Sequence, residues 1–336
     1  MRTFTNRVIG LVLALAMIAS FVLAPMPTDI KANAATVNST NLVSNVQDGV
    51  TLQCWNWSIA NIKANLGLIA NMGYSAIQVS PMQEMKEGTV NKPVNNWWAV
   101  YQPISFYINK SASHCVGTKE ELIDLCNEAH KYGMMVAAHV ESPEGVRVAL
   151  ENGVDSIEHG AKPDAEILRL FKERGAVDIC TISPAAPYCL FPEEISHAGD
   201  DARINGKVVM DGIIECARAC RDNGIPVGLG NDVGCPFILH YNFWRELYYY
   251  HKYVGASNRE TLYTATLGNA GLAGIAGETG SIEKGKSADL IVVKQNPLDD
   301  LTALRNVSMV MVRGDLIRNP KVKRMKHVDD MLDRYM

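Results

Sequence analysis

Residues 134–160 read Met134-Met135-Val136-Ala137-Ala138-His139-Val140-Glu141-Ser142-Pro143-Glu144-Gly145-Val146-Arg147-Val148-Ala149-Leu150-Glu151-Asn152-Gly153-Val154-Asp155-Ser156-Ile157-Glu158-His159-Gly160, and this stretch decides the fold. The apolar run 134–140 reads as a strand and 144–151 as a helix. Gly153 stands where a left-handed cap would end that helix, and 156–159 reads as the next strand. A strand, a helix and a second strand joined by a right-handed crossover give two parallel neighbours in one sheet.

The same alternation extends in both directions. Strands are predicted over 50–55, 76–80, 178–182 and 226–230, and helices over 59–72, 119–132, 165–174 and 207–222. Gly73, Gly133, Gly175 and Gly224 occupy the same capping position as Gly153. The class is α/β, a parallel sheet or a TIM-type (β/α) barrel. Six core strands precede Gly277 where the common barrel has eight, so either two strands escape the pattern or the barrel is incomplete, and the motifs below point to an incomplete one. Its free edges are expected along 52–57 and along either 225–230 or 134–140, with self-association through them into a homo-oligomer. After Gly280, short β runs over 289–293 and 309–312 suggest a small β-sandwich remnant, followed by a C-terminal helix within 321–336.

The 336 residues are 47% hydrophobic and 20% charged, and the formal net charge is −4. Such a chain can bury a sizeable core, and no run of like charge points to nucleic acid or an anionic membrane. A small-molecule substrate is the expected partner. Arg2 and Arg7, an apolar run over 8–23, and Ala32-Asn33-Ala34-Ala35 read as a signal peptide over 1–34, which predicts secretion and no integral membrane anchor after cleavage. The eight Cys show no disulfide framework; Cys216 and Cys220 share a helix face but suit a disulfide poorly, and buried free thiols are expected.

Two resemblances divide the chain. Over about 50–133, the strand Leu52-Gln53-Cys54-Trp55-Asn56-Trp57, the strand Ala76-Ile77-Gln78-Val79-Ser80-Pro81, the loop Trp97-Trp98-Ala99-Val100-Tyr101-Gln102-Pro103 and the helix opening Gly117-Thr118-Lys119-Glu120-Glu121-Leu122 follow one another in order. This succession resembles the start of the catalytic barrel of the α-amylase family of glycoside hydrolases. The resemblance implies sugar platforms at Trp98 and Tyr101 and a hydroxyl partner at Gln102. The carboxylate pair that glycoside cleavage needs has no counterpart here, so α-glucan binding without catalysis is the most this half implies.

Over about 128–319, Ala138-His139 ends one strand, Asp155-Ser156-Ile157-Glu158-His159-Gly160 ends the next, and Gly228-Leu229-Gly230-Asn231-Asp232 ends the last. Ala265-Thr266-Leu267-Gly268-Asn269-Ala270 and the tail Gly280-Ser281-Ile282-Glu283-Lys284-Gly285-Lys286-Ser287-Ala288-Asp289-Leu290 follow. This half resembles the amidohydrolase superfamily, in its imidazolonepropionase-like and prolidase-like branch. Strand C-termini converge at a barrel mouth, and imidazole and carboxylate groups gathered there suit a divalent metal. The resemblance implies His139, His159 and Asp232 as metal ligands, with zinc as the metal and one ion at most. It also implies Asp232 as the catalytic group that takes the proton from the attacking water, in hydrolysis of amide, cyclic amide or dipeptide C–N bonds. The superfamily's His-x-His strand has no counterpart, since no His-x-His occurs in the chain, and activity is expected to be impaired. The chain reads as a fusion of two partial barrels: an amylase-like part over 35–133, an amidohydrolase-like part over 134–278 and a β tail over 279–320, joined natively, by engineering or by an error of assembly.

Overall fold

The computed structural model describes residues 50–55, 57–80, 83–85, 103–108 and 117–336. The leader over 1–34 and the candidate sugar-binding residues Trp98, Tyr101 and Gln102 lie outside the described residues.

Strand β1 (Val50–Cys54) leads through helix α1 (Ile59–Asn71) into β2 (Tyr74–Val79). A two-stranded antiparallel excursion, β3 (Gln83–Met85) with β4 (Pro103–Ile108), precedes α2 (Lys119–Lys131) and β5 (Met135–Val140). Then come α3 (Pro143–Glu151), β6 (Ser156–His159), α4 (Ala165–Arg174) and β7 (Val177–Cys180). Short helices α5 (Ala186–Leu190) and α6 (Glu193–Ser196) lead to the long α7 (Asp200–Asp222) and the strand β8 (Val227–Leu229). The predicted strands all form, and they lie in one parallel sheet of order β1-β2-β5-β6-β7-β8.

Local chemistry explains where the helices begin and end. Ser58, Ser142 and Asp164 each accept a hydrogen bond from the backbone N–H three residues on, which satisfies a donor that the first helical turn leaves open. Thr118 and Glu121 close a reciprocal capping box at α2. Gly73, Gly133, Gly153, Gly175 and Gly224 all take positive φ just past a helix end, as their positions required. The α7 helix begins at Asp200, seven residues ahead of the expected 207, because its first turns are polar and half-exposed and carry little apolar periodicity. At the junction of the two resemblances, the Asp155 carboxylate accepts from the Val136 N–H (2.7 Å) and meets His130 Nε2 (2.9 Å). One side chain thereby ties α2 to the start of β5.

The buried apolar residues packed about the sheet form two clusters. One gathers β1, β2, β5 and β6 with α1–α4, around Ile62, Leu66, Ile77, Leu125, Leu150 and Phe171. The other joins β7 and β8 to α5, α7 and α8 (Trp244–Tyr249), around Ile182, Ile213, Leu247 and Tyr250. The chain continues through α9 (Asn258–Tyr263), a π-helical turn (Thr264–Gly268) and α10 (Asn269–Leu272). Gly280, at φ 88°, lies so close to that segment that a Cβ would come within 2.7 Å of Ala270 Cβ. Beyond it, β9 (Leu290–Val293), β10 (Val307–Val312) and β11 (Asp315–Arg318) make an antiparallel sheet of order β11-β10-β9. Ile291, Val292, Val312, Leu316 and Ile317 are exposed on it among the described residues. Finally α11 (Lys326–Asp333) docks Val328 and Leu332 beside Phe191, while buried Arg245 pairs with Asp329 and Asp333. No helix among the described residues is long and apolar enough to cross a membrane.

β1 and β8 do not pair, so the barrel does not close. Of the two alternatives for the second edge, β8 is the one found, because β5 is flanked by β2 and β6. That edge is partly covered. Asn269 accepts from the Leu229 N–H at 3.0 Å and donates to the Leu229 carbonyl at 3.0 Å, so one side-chain amide takes the place of a neighbouring strand. Replacing it by alanine strands both groups at a cost of about 1–3 kcal/mol. Asn269→Ala is therefore expected to lower the melting midpoint and to move the chain toward larger species in gel filtration; an unchanged profile in both would remove this role from Asn269.

Candidate active site

A parallel sheet brings its strand C-termini to one side, and three functional groups collect there. His139 is the penultimate residue of β5, His159 the last of β6, and Glu141 the first past β5. Register pairs His159 with Val140 and His139 with Glu158, so regular alternation would set the two imidazoles on opposite faces. His159 instead adopts φ 77°, a left-handed conformation that costs a non-glycine residue about 1–3 kcal/mol and is concentrated at functional sites. The two rings meet edge to face, with centroids 4.4 Å apart and planes at 76°. One nitrogen from each imidazole and one carboxylate oxygen of Glu141 lie within 4.8 Å of one another.

Burial pushes both imidazoles down, His139 to about 3 with a further push from His159, and His159 to about 4. Both are therefore neutral, the form that offers a lone pair to a metal, across the neutral range. Glu141 keeps surface open to solvent, but protein atoms crowd its carboxyl at the mouth. That crowding, together with the Asp232 charge, pushes it up to about 7. Asp232 lies in the exposed loop just past β8 at φ 48° and stands outside the close trio. Its charge reaches His139, Glu141 and Glu158, and its Oδ2 accepts from Cys235 Sγ at 3.1 Å. Of the ligands expected from sequence, the structure therefore brings His139 and His159 together and sets Asp232 at the rim. Glu141 is the residue that sequence reasoning missed. Its signal was the His139-Val140-Glu141 spacing, which puts a carboxylate one step beyond the strand end.

A second layer fixes His159. Its Nδ1 forms a short hydrogen bond with Thr181 Oγ1, just past β7. The next two residues are held by a wholly buried carboxylate: Glu246 on α8 accepts from the Ile182 N–H and the Ser183 N–H, each at 2.7 Å. The loop carrying Thr181 is thus pinned from behind.

The Amidohydrolase family profile matches residues 106–317. The chain belongs to the amidohydrolase family. Among solved structures, a candidate prolidase from Bifidobacterium longum is 32% identical, with a TM-score of 0.68 over 83% of this chain and 64% of that one. A Xaa-Pro dipeptidase with methionine bound in its active site is 29% identical, with a TM-score of 0.61 over 78% of this chain and 59% of that one. The ochratoxinase of Aspergillus niger is 28% identical over 210 residues, 60% of this chain and 42% of that protein. An α-amylase of Clostridium acetobutylicum is 37% identical over 116 residues, 34% of this chain and 15% of that protein. The chain thus spans less than half the length of either of these two curated relatives.

The Glu246 clamp has a pH signature. Burial raises its carboxyl to about 7, against the opposing pull of its hydrogen bonds to Ser183 and Ile182. Between an unfolded value near 4.5 and about 7 the folded chain holds the extra proton, so this group lowers stability as pH rises through that window. Glu246→Ala is expected to remove that slope from the stability profile and to cost about 1–3 kcal/mol for each N–H left without an acceptor. Chemical denaturation at pH 5 and pH 8 reads both effects, and equal stability of the variant and the parent at pH 8 would dismiss the clamp.

Proposed function

We propose that the chain is a metal-dependent hydrolase of C–N bonds, acting on amides, cyclic amides or dipeptides. One observation carries the reading: His139, Glu141 and His159 converge at the strand C-termini of an amidohydrolase sheet. The ochratoxinase, prolidase and dipeptidase relatives add support. The residues present fit a divalent cation, since two neutral imidazoles and a carboxylate are donors that zinc accepts. When bound, such an ion activates water and polarises the scissile carbonyl.

The remaining work falls to the chain's own groups. Thr181 holds the orientation of His159 from behind, the arrangement by which outer-layer partners tune a ligand. Asp232 is the group placed to take a proton at the mouth, on the carboxylate oxygen that Cys235 leaves open. With three ligands and no His-x-His strand, the site holds one ion, and turnover is expected to be slow.

The test is the full chain loaded with Zn²⁺ or Mn²⁺ and assayed on N-acyl amino acids, Xaa-Pro dipeptides and cyclic amides. Turnover of one class is expected, with one equivalent of metal bound. Both should vanish in His139→Ala/His159→Ala, whereas unchanged metal content in that variant would sink the site. Thr181→Val should weaken metal binding about 10–100-fold while leaving the ligands in place.

A second reading is favoured by the amylase relative: α-glucan binding through Trp98, Tyr101 and Gln102, without catalysis. Maltooligosaccharide titration followed by tryptophan fluorescence separates the two, and no change at millimolar sugar would dismiss it.

A further inference from the structure

A second group of metal-ligating side chains lies inside the protein and shares no residue with the histidine site. Asp178 is the second residue of β7, and Cys216 and Cys220 stand one turn apart on the face of α7 that covers it. Asp178, Cys216 and Cys220 are wholly buried. One carboxylate oxygen and the two sulfurs lie within 4.8 Å of one another. The Cys216 thiol donates to Asp178 Oδ1 at 3.4 Å, while Asp178 Oδ2 has no hydrogen-bond partner.

This is a costly arrangement for a protein to bury. A carboxylate out of contact with water needs a cation or a full set of donors, and Asp178 has neither. Its surroundings all act against its charge: burial first, then Cys216 and Glu158. The neighbouring Cys220 and burial push the Cys216 thiol well up, so without a cation this sulfur stays protonated beside the acid. Packing against the cluster is close. A Cβ on Gly160, itself at φ 82°, would come within 2.6 Å of Asp178 Oδ1 and 2.9 Å of Cys216 Sγ.

We propose that Asp178, Cys216 and Cys220 form a closed structural site for a thiophilic cation of the zinc class. Two sulfurs and one oxygen are a soft donor set; calcium and magnesium, which take six or more oxygens, do not suit it. Burial leaves no position for substrate, so the site is structural and not catalytic. On binding, the ion displaces the thiol protons and any proton on the carboxyl, and neutralises the oxygen that no donor reaches. It joins β7 to α7 immediately behind Gly160, the residue that follows His159. Binding energy at such a site is folding energy, so occupancy stiffens the wall on which His159 stands.

Cadmium is the probe, because sulfur-to-cadmium charge transfer absorbs in the ultraviolet and imidazole ligation gives no such band. The full chain carrying His139→Ala/His159→Ala is produced in cadmium-supplemented medium, which removes the histidine site from the count. One tightly held cadmium is expected, with a charge-transfer band that is lost on acidification. Both should disappear with Cys216→Ala/Cys220→Ala, and Asp178→Asn should lower the cadmium retained. The melting midpoint should rise with cadmium only where both cysteines are present. Equal cadmium content or an equal band in the double-cysteine variant would overturn the site, as would a parent chain without the band. If the alanine variant fails to fold, alkylation of the cysteine-bearing chain decides the matter. Cadmium should slow labelling of Cys216 and Cys220 relative to the cadmium-free chain, and equal labelling would leave only a neutral acid packed among thiols.

Discussion

Every strand of the main sheet runs in the same direction, and most of what the molecule can do follows from that. Parallel pairing requires each connection to return across a face of the sheet, so helices cover it and its strands are buried. It also delivers every strand's carboxyl end to one rim. His139 and His159, twenty residues apart in sequence, reach that rim on neighbouring strands. Direction alone thus brings the two imidazoles and the Glu141 carboxylate to one end of the sheet.

The precision of the rim comes from behind it. His159 is turned by a left-handed backbone, its Nδ1 is engaged by Thr181, and the residues after Thr181 hang on the Glu246 carboxylate. Gly160 must remain glycine because the Asp178 and Cys216 side chains press against it. Three buried acidic or thiol layers therefore bear on the backbone that presents one histidine. Polar groups so deeply placed are unforgiving, since each unpaired atom costs more than a packed methyl group would.

Glycine caps and all six strands were legible because each depends on local chemistry: a positive φ at a helix end, an apolar run within a strand. The start of α7 was not, because no side-chain acceptor caps its polar first turn. The two histidines were legible because each closes a strand. Glu141 was not, because a residue just past a strand has no periodicity to mark its direction; only the fold turns it inward. The rim position of Asp232 was equally hidden, since it is set by a left-handed turn in the loop after β8. Asn269 escaped notice for another reason. Its role as a substitute strand joins positions forty residues apart, and no local pattern encodes that contact. The open barrel and its β1 edge followed from counting strands, though which strand would form the second edge did not.

The order of the sheet bears on how the molecule is made. Each new strand pairs with one already synthesised: β2 on β1, β5 on β2, and so on to β8. During translation the sheet can therefore lengthen by one unit at a time, and no strand has to wait for a distant partner. The β8 margin is different, because the outer side of the Leu229 backbone stays unmatched until Asn269 has left the ribosome. For the time taken to add forty residues, the growing end of the sheet is open to any other nascent chain nearby, a hazard of synthesis that the finished β8 edge no longer carries.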